Sequence, residues 1–194
     1  MDKIIKAIKS IVPKDSDRDW MGRIHKQNGA VYATDAIVLA KIKDGTGIEL
    51  AEGMGYNPYT QDTSKTSGMF CKFDQVIPSM DKLDRCFRIN VKECLSKTRE
   101  WMNVDKYERH KDKYSTYVLV NWDDVHFDVR KLHLVLQTLN KLRVREIDVF
   151  MGSKRTPIVF DNDDYSMVLA SYLTDEDLKV VQDDCFTSMV QERV

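Results

Sequence analysis

The chain has 194 residues, of which 42% are apolar and 31% charged, which is typical of a globular protein with a sizeable core. Thirty basic residues are balanced by 31 acidic ones, so the net charge of −1 gives no global field that attracts nucleic acid. No apolar run reaches the ~20 residues that cross a bilayer. The lysine-rich start does not resemble a secretion signal, and four scattered cysteines disfavour a disulfide framework or a zinc site. We therefore expect a cytoplasmic protein without membrane contact.

The first predicted element is a helix over residues 2–12, which Pro13 ends. One side of this helix is apolar, and the opposite side carries Lys3, Lys6 and Lys9. Two interpretations stay open, an ordinary solvated face and a basic surface that contacts an acidic partner. The apolar side consists of Ile4, Ile5, Ile8, Ile11 and Val12.

Residues 29–40 are the stretch around which the other elements are ordered. They predict two strands joined by a tight corner at Thr34-Asp35, because β-branched and aromatic residues favour strands and aspartate hydrogen-bonds its own backbone in turns. A strand over 20–26 and a hairpin turn at 27–29 precede them.

The middle of the chain predicts an irregular segment followed by a helix. Residues 43–69, rich in glycine, threonine and serine, predict a loop with a short hairpin near 48–51. A second helix begins at Asn90, and its buried side is formed by Val91, Cys94, Leu95, Thr98, Trp101 and Met102. A charged loop over 105–113 and a strand over 114–122 are predicted to follow.

The third helix has the clearest periodicity in the chain. Asp128 predicts its N-cap, and its apolar side is formed by Val129, Leu132, Val135, Leu136, Leu139 and Leu142. The polar side carries Arg130, His133, Gln137 and Lys141. The helix contains no acidic residue, which is unusual for a solvated face in a chain with as many acids as bases.

The C-terminal part predicts strands over 146–151, 158–160 and 165–173, followed by a tail with a short acidic helix over 174–194. The acidic turn Asp161–Asp164 lacks the terminal glutamate of a calcium loop, so it predicts a turn.

The sequence offers little for catalysis. The four histidines (His25, His110, His126 and His133) are far apart, and neither a phosphate-binding loop nor a nucleophile elbow occurs. Asp123-Asp124 beside His126 is explained by turn chemistry between a strand and a helix cap. We expect no catalytic residue, no cofactor and no metal.

Several blocks of sequence occur in an order known from one protein family. The blocks are Lys14-Asp15-Ser16, residues 31–35 (Val-Tyr-Ala-Thr-Asp), residues 73–78 (Phe-Asp-Gln-Val-Ile-Pro), residues 130–139, residues 157–160 (Pro-Ile-Val-Phe) and residues 165–169. Together they resemble the bacterial DNA polymerase III β subunit, the sliding clamp, in a shortened and divergent form. The resemblance implies an α+β, clamp-like fold in which curved antiparallel sheets carry helices on one side.

The same resemblance implies a division into a clamp-like part over 1–78, a second clamp-like part over 79–173 and an acidic tail over 174–194. Clamps of this family have three domains, and this chain has room for at most two. The family's C-terminal pocket for polymerase and other partner peptides corresponds here to residues 168–173, which depart from the family's sequence.

The function that the resemblance implies is a homo-oligomeric, non-enzymatic scaffold for replication or repair on duplex DNA. The residues expected to meet the phosphate backbone without reading bases are Lys3, Lys6, Lys9, Arg130, Gln137 and Lys141. The alternative is a clamp-fold module that binds a protein partner, such as a polymerase or repair protein, and no DNA.

Overall fold

The computed structural model describes residues 3–18, 20–65, 72–111, 119–122, 125–152, 156–171 and 180–182. Its helices are α1 (Lys3–Ile8), α2 (Val91–Lys111) and α3 (Val129–Lys141), and short 3₁₀ turns cover Phe73–Gln75 and Met80–Lys82. The strands are β1 (Ile24–Gln27), β2 (Ala30–Thr34), β3 (Val38–Ile42), β4 (Met54–Tyr56), β5 (Thr63–Lys65), β6 (Arg85–Asn90), β7 (Leu119–Trp122), β8 (Val125–Asp128), β9 (Glu146–Met151), β10 (Ile158–Asp161), β11 (Tyr165–Leu169) and β12 (Val180–Gln182).

Within the described residues, nine strands form one antiparallel sheet in the order β5-β4-β1-β2-β3-β11-β10-β9-β6. Strand β3 from the first half of the chain pairs with β11 from the second half, from Val38 opposite Leu169 to Ile42 opposite Tyr165. Strands β7 and β8 form a second sheet with β12, which runs parallel to β7.

The helices pack on one face of the large sheet. Side chains alternate between the two faces of a strand, and Val31 and Ala33 of β2 lie in the core that holds the helices, whereas Tyr32 lies in the cluster on the other face. Helix residues in the first core include Ile5, Ile8, Val91, Leu95, Leu132 and Leu136. The predicted α+β fold, with antiparallel sheets and helices on one side, is confirmed.

The corner between β2 and β3 forms as predicted. Oδ1 of Asp35 accepts hydrogen bonds from the backbone N–H groups of Ile37 (3.0 Å) and Val38 (2.7 Å). Thr34 Oγ1 donates to the Val38 carbonyl at 2.8 Å, and Ala36 has a positive φ of 74°. A small residue tolerates this left-handed conformation better than a β-branched one, which explains the Ala at the tip.

Both predicted helix caps are present. Asn90 Oδ1 accepts from the N–H groups of Lys92 and Glu93, and Asp128 accepts from the N–H of Arg130. These bonds satisfy backbone donors that a helix start leaves without partners. The hairpin turn between β1 and β2 also forms as predicted, with positive φ at Asn28 and Gly29.

Several elements differ from the prediction, beginning with the first helix, which ends at Ile8 instead of residue 12. The hairpin in the long loop is formed by β4 and β5, while residues 48–51 contain no strand. Helix α2 continues to Lys111, so the loop expected from residue 105 is wrong for residues 105–111. Strand β8 was not expected as a separate element. Residues 180–182 form a strand where the tail was expected to be helical, and the rest of the tail beyond residue 171 lies outside the described residues.

Candidate nucleic-acid interface and apolar pocket

Helix α3 packs against both α1 and α2. The turn after α1, Ser10–Pro13, lines the same cleft as Lys131 and Leu134 of α3. The apolar sides of all these helices share one core. That the six residues expected to contact DNA form one continuous surface stays a prediction.

The lysines in α1 and directly after it differ in their exposure. Lys3 and Lys6 are exposed, and neither has a carboxylate partner among the residues that the structure describes. Lys9 is half-buried, with its Nζ 4.5 Å from the centroid of the Tyr59 ring. Tyr59 in turn donates a hydrogen bond to the Val12 carbonyl at 2.9 Å. This cation–π contact fixes the Lys9 side chain and leaves its charge in place.

The polar residues of α3 differ from one another in their surroundings. Arg130 is held by Asp128, with 2.9 Å between its terminal nitrogen and Oδ2 and 3.3 Å between Nε and Oδ1. This carboxylate offsets the charge of Arg130, so we expect Arg130 to attract phosphate less than an unpaired arginine. Lys141 is exposed, and its Nζ lies 3.4 Å from Oε1 of half-buried Gln137.

His133, on the same side of α3, contacts α2 instead of facing solvent. Its Nδ1 lies 2.9 Å from Thr98 Oγ1, and that hydroxyl donates its hydrogen to the Leu95 carbonyl. The hydroxyl therefore accepts from the imidazole N–H. Burial lowers the pKa of His133 below its usual 6.5, and the positive charge of Arg99 lowers it further. His133 is thus a neutral contact between helices near neutral pH.

An ion pair between α3 and the β2–β3 corner is a feature that the sequence pattern did not reveal. Lys131 Nζ lies 2.5 Å from Asp35 Oδ2, and the Asp35 side chain is only 9% exposed. The two residues are 96 positions apart, so no local spacing indicates their contact. The pair fixes the register of α3 over the corner.

An apolar pocket of about 340 Å³ lies beside the corner, next to the cluster on the other face of the sheet. Its lining comes from distant parts of the chain and includes Trp20, Ile37, Phe73, Val76, Val168 and Ala170. Val76 is 49% exposed and is the one large apolar side chain in the described residues with such exposure. The lining includes Val168, Ala170 and Ser171 of the segment 168–173, whose correspondence to the family's partner-peptide pocket stays a prediction.

A network on the sheet holds the wall of this pocket in place. The ring of Phe73 stacks on Tyr32 with 5.0 Å between centroids, and the neighbouring Asp74 accepts from the Tyr32 hydroxyl at 2.8 Å. Lys41 donates to the same carboxylate oxygen at 2.6 Å. Hydrogen bonds from Lys41 and Tyr32 lower the pKa of Asp74, and burial together with the bond to Asp74 raises the pKa of Tyr32 well above 10.

The described residues contain no group of three or more histidine, cysteine or carboxylate side chains that could hold a metal ion. Of the histidines, His25 is fully buried, and its Nε2 lies 2.5 Å from the Trp20 carbonyl oxygen, which gives it a structural role. Asp123 and Asp124 lie outside the described residues. In the part of the chain that the structure covers, no helix is long and apolar enough to cross a membrane.

Comparison with solved structures shows the fold. The chain superposes on a putative DNA polymerase III β subunit from Eubacterium rectale with a TM-score of 0.62 and 11% identity, covering 88% of this chain and 62% of that one. The β subunit from Pseudomonas aeruginosa gives 0.60 and 14%, covering 88% and 63%. The β chain from Streptococcus pneumoniae gives 0.62 and 13%, covering 89% and 62%.

The chain therefore has the fold of the bacterial DNA polymerase III β subunit, as its resemblance to that family predicted, at 11–14% sequence identity. It matches less than two thirds of the length of each of these clamps. No protein-family model and no curated protein sequence matches it.

Proposed function

We propose that this protein is a non-enzymatic, clamp-like scaffold for replication or repair that binds the backbone of duplex DNA without sequence specificity. The observation that carries the proposal is the exposure of Lys3, Lys6 and Lys141 without carboxylate partners in the described structure, on helices whose apolar sides share one core. Lys9, Arg130 and Gln137 complete the proposed surface. Lysine side chains contact phosphate as point charges and read no base edges, which favours binding to any sequence.

The nearly neutral net charge is compatible with this proposal because charge acts locally. At physiological salt the Debye length is about 8 Å, so acids on distant parts of the surface are screened from a phosphate at the helix layer. Each lysine that neutralises a phosphate releases counterions, and the logarithm of the affinity falls with the logarithm of the salt concentration by about 0.9 per contact.

The test is fluorescence anisotropy of a labelled duplex of arbitrary sequence, titrated at several salt concentrations between about 50 and 200 mM. The variant Lys3→Gln, Lys6→Gln, Lys141→Gln should bind more weakly. The slope of its log affinity against log salt concentration should be shallower by up to about 2.7, which corresponds to three phosphate contacts. The matched control is Lys65→Gln, Lys72→Gln, Lys82→Gln, which removes three exposed lysines outside the helices. Equal affinities of the two variants would contradict the proposal.

We propose further that the protein acts as a homo-oligomer. The chain spans about 60% of the length of the clamps that it resembles, and the proposal of an oligomer rests on that resemblance. Light scattering measures the mass in solution directly. A monomer at the concentrations of the binding assay would rule out encirclement of DNA by this protein alone.

A second candidate is a clamp-fold module that binds a protein partner, and the apolar pocket favours it. A cavity of about 340 Å³ with an exposed Val76 at its border fits an apolar side chain of a peptide, such as one from a polymerase or repair protein. The indole N–H signal of Trp20, assigned with Trp20→Phe, should shift when an apolar dipeptide is titrated. Val76→Asp should abolish this shift and leave DNA affinity unchanged.

A further inference from the structure

A further concentration of positive charge lies where α3 ends and α2 begins, directly after Lys141 in the chain. A cleft of about 490 Å³ at this place is lined by Asn90, Lys92, Asn140, Arg143, Val144 and Arg145. The side chains of Lys92, Arg143 and Arg145 are all exposed, and none of them has a carboxylate partner among the residues that the structure describes. None of these residues belongs to the surface proposed above.

The backbone fixes the positions from which these three cations emerge. Two residues after the end of α3, Arg143 has a positive φ of 64°, and the Val144 N–H donates to the Leu139 carbonyl at 3.0 Å. The N–H of Val91, the first residue of α2, donates to the Arg145 carbonyl at 2.9 Å. The end of one helix is thereby attached to the start of the other, which keeps the lining residues together.

The donors that remain available in the cleft are those of side chains. The first N–H groups of α2 are occupied, since Lys92 and Glu93 donate to Asn90 and Val91 donates to Arg145. The cleft is lined by two guanidinium groups, one ammonium group and two side-chain amides. This set of donors suits an oxyanion with several acceptor oxygens. A phosphodiester meets this requirement, because planar guanidinium groups bind phosphate oxygens in pairs.

We propose that this cleft binds a backbone phosphate of DNA and so extends the surface of the proposed DNA-binding function, on which this inference rests. Helix α3 has 13 residues and is about 20 Å long, which separates the cleft from the end of α3 that lies against the turn after α1. This distance exceeds the Debye length of about 8 Å, so the cleft and that end act as electrostatically independent sites. The length of α3 also corresponds to several base-pair steps of about 3.4 Å, so one duplex can reach both ends of this helix.

The experiment uses the full chain and the double variant Arg143→Gln, Arg145→Gln, with Lys65→Gln, Lys82→Gln as the matched control. In the duplex titrations the cleft variant should lose affinity, and its slope against salt should be shallower by about 2, while the control stays near the wild type. Unchanged thermal unfolding of the cleft variant shows that it folds. If the wild type binds duplex DNA and the cleft and control variants bind it alike, the cleft is not a phosphate site.

A second measurement separates this inference from the proposed function. Backbone amide signals of residues 143–145 are followed by NMR while a short single-stranded thymidine oligonucleotide is added, and they should shift in the wild type and not in the cleft variant. Shifts that occur although the wild type binds no duplex would overturn the proposed function and support the cleft. If duplex binding is lost only in the Lys3, Lys6, Lys141 variant and the amide signals do not shift, the proposed function is supported and the cleft is overturned as a phosphate site.

Discussion

Replacing Asp35 by asparagine tests both the stability of the helix layer and its charge. The carboxylate has two tasks, since Oδ1 accepts the corner N–H groups of Ile37 and Val38 while Oδ2 lies 2.5 Å from Lys131 Nζ. Asparagine keeps an acceptor for the corner and removes the charge. Asp35→Ala removes both and is the natural companion variant.

The magnitudes follow from burial. The Lys131 side chain is 27% exposed, so loss of the ion pair in Asp35→Asn should lower the free energy of unfolding by about 1 kcal/mol. Asp35→Ala also leaves the two corner N–H groups without their acceptor, which should cost about 2 kcal/mol more. A change of 1 kcal/mol moves Tm by about 2–4 °C in a chain of this size, so urea and thermal unfolding both resolve the difference.

The same substitution should change DNA binding in the opposite direction to stability. Without Asp35, the ammonium group of Lys131 no longer has a carboxylate beside it and becomes available to a phosphate. We expect Asp35→Asn to bind duplex DNA more tightly at low salt. The slope of its log affinity against log salt concentration should be steeper by about 0.9, which corresponds to one phosphate contact. Weaker or unchanged binding by a variant that remains folded would refute this account of the helix layer.

Three further predictions concern the helices. The lowered pKa of His133 means that the unfolded chain takes up its proton first as pH falls below about 6.5, so stability is lost from there down to the lowered folded pKa. Urea unfolding at a series of pH values should show this loss in the wild type and a smaller one in His133→Gln. Leu136→Ala, at a fully buried position, should reduce the free energy of unfolding by about 3 kcal/mol in the same assay. Asp128→Ala should cost about 1 kcal/mol through loss of the α3 cap, and Asp128→Asn should recover most of it.

Elements fixed by local chemistry could be predicted from the sequence. Helix α3 follows from its apolar period of 3.6 and from Asp128 as its cap, and the β2–β3 corner follows from Thr34 and Asp35. In each case the stabilising hydrogen bonds join residues within four positions of one another. A single sequence therefore contains the information that predicts helix α3 and the β2–β3 corner.

Other elements depend on chemistry that residue patterns do not display. The high charge of residues 105–111 predicted a loop, but lysine, glutamate and arginine are good helix formers, and α2 continues through them. The β4–β5 hairpin has no alternation of apolar and polar residues. Its Gly55 is placed by a close approach to the His25 ring, where an added Cβ would lie 3.1 Å from ring atoms.

The residues of the candidate sites also divide into those that the sequence predicts and those that only the structure reveals. The exposed lysines of α1 follow from helical periodicity, because a lysine opposite an apolar stripe points to solvent. Helical periodicity does not indicate which group each cation contacts, as the contacts of Lys131 with Asp35 and of Lys9 with Tyr59 show. The apolar pocket joins Trp20, Phe73 and Val168, so only the folded sheet reveals it.

The pairing of β3 with β11 has a practical consequence for work on fragments. These strands carry the backbone hydrogen bonds that join the two halves of the large sheet, and each of them lies in its interior. Cutting the chain after residue 78 and producing the pieces separately would turn both strands into bare sheet edges with apolar side chains. Such edges recruit other strands, so each isolated piece would aggregate, whereas mixing the two during refolding would let them recombine.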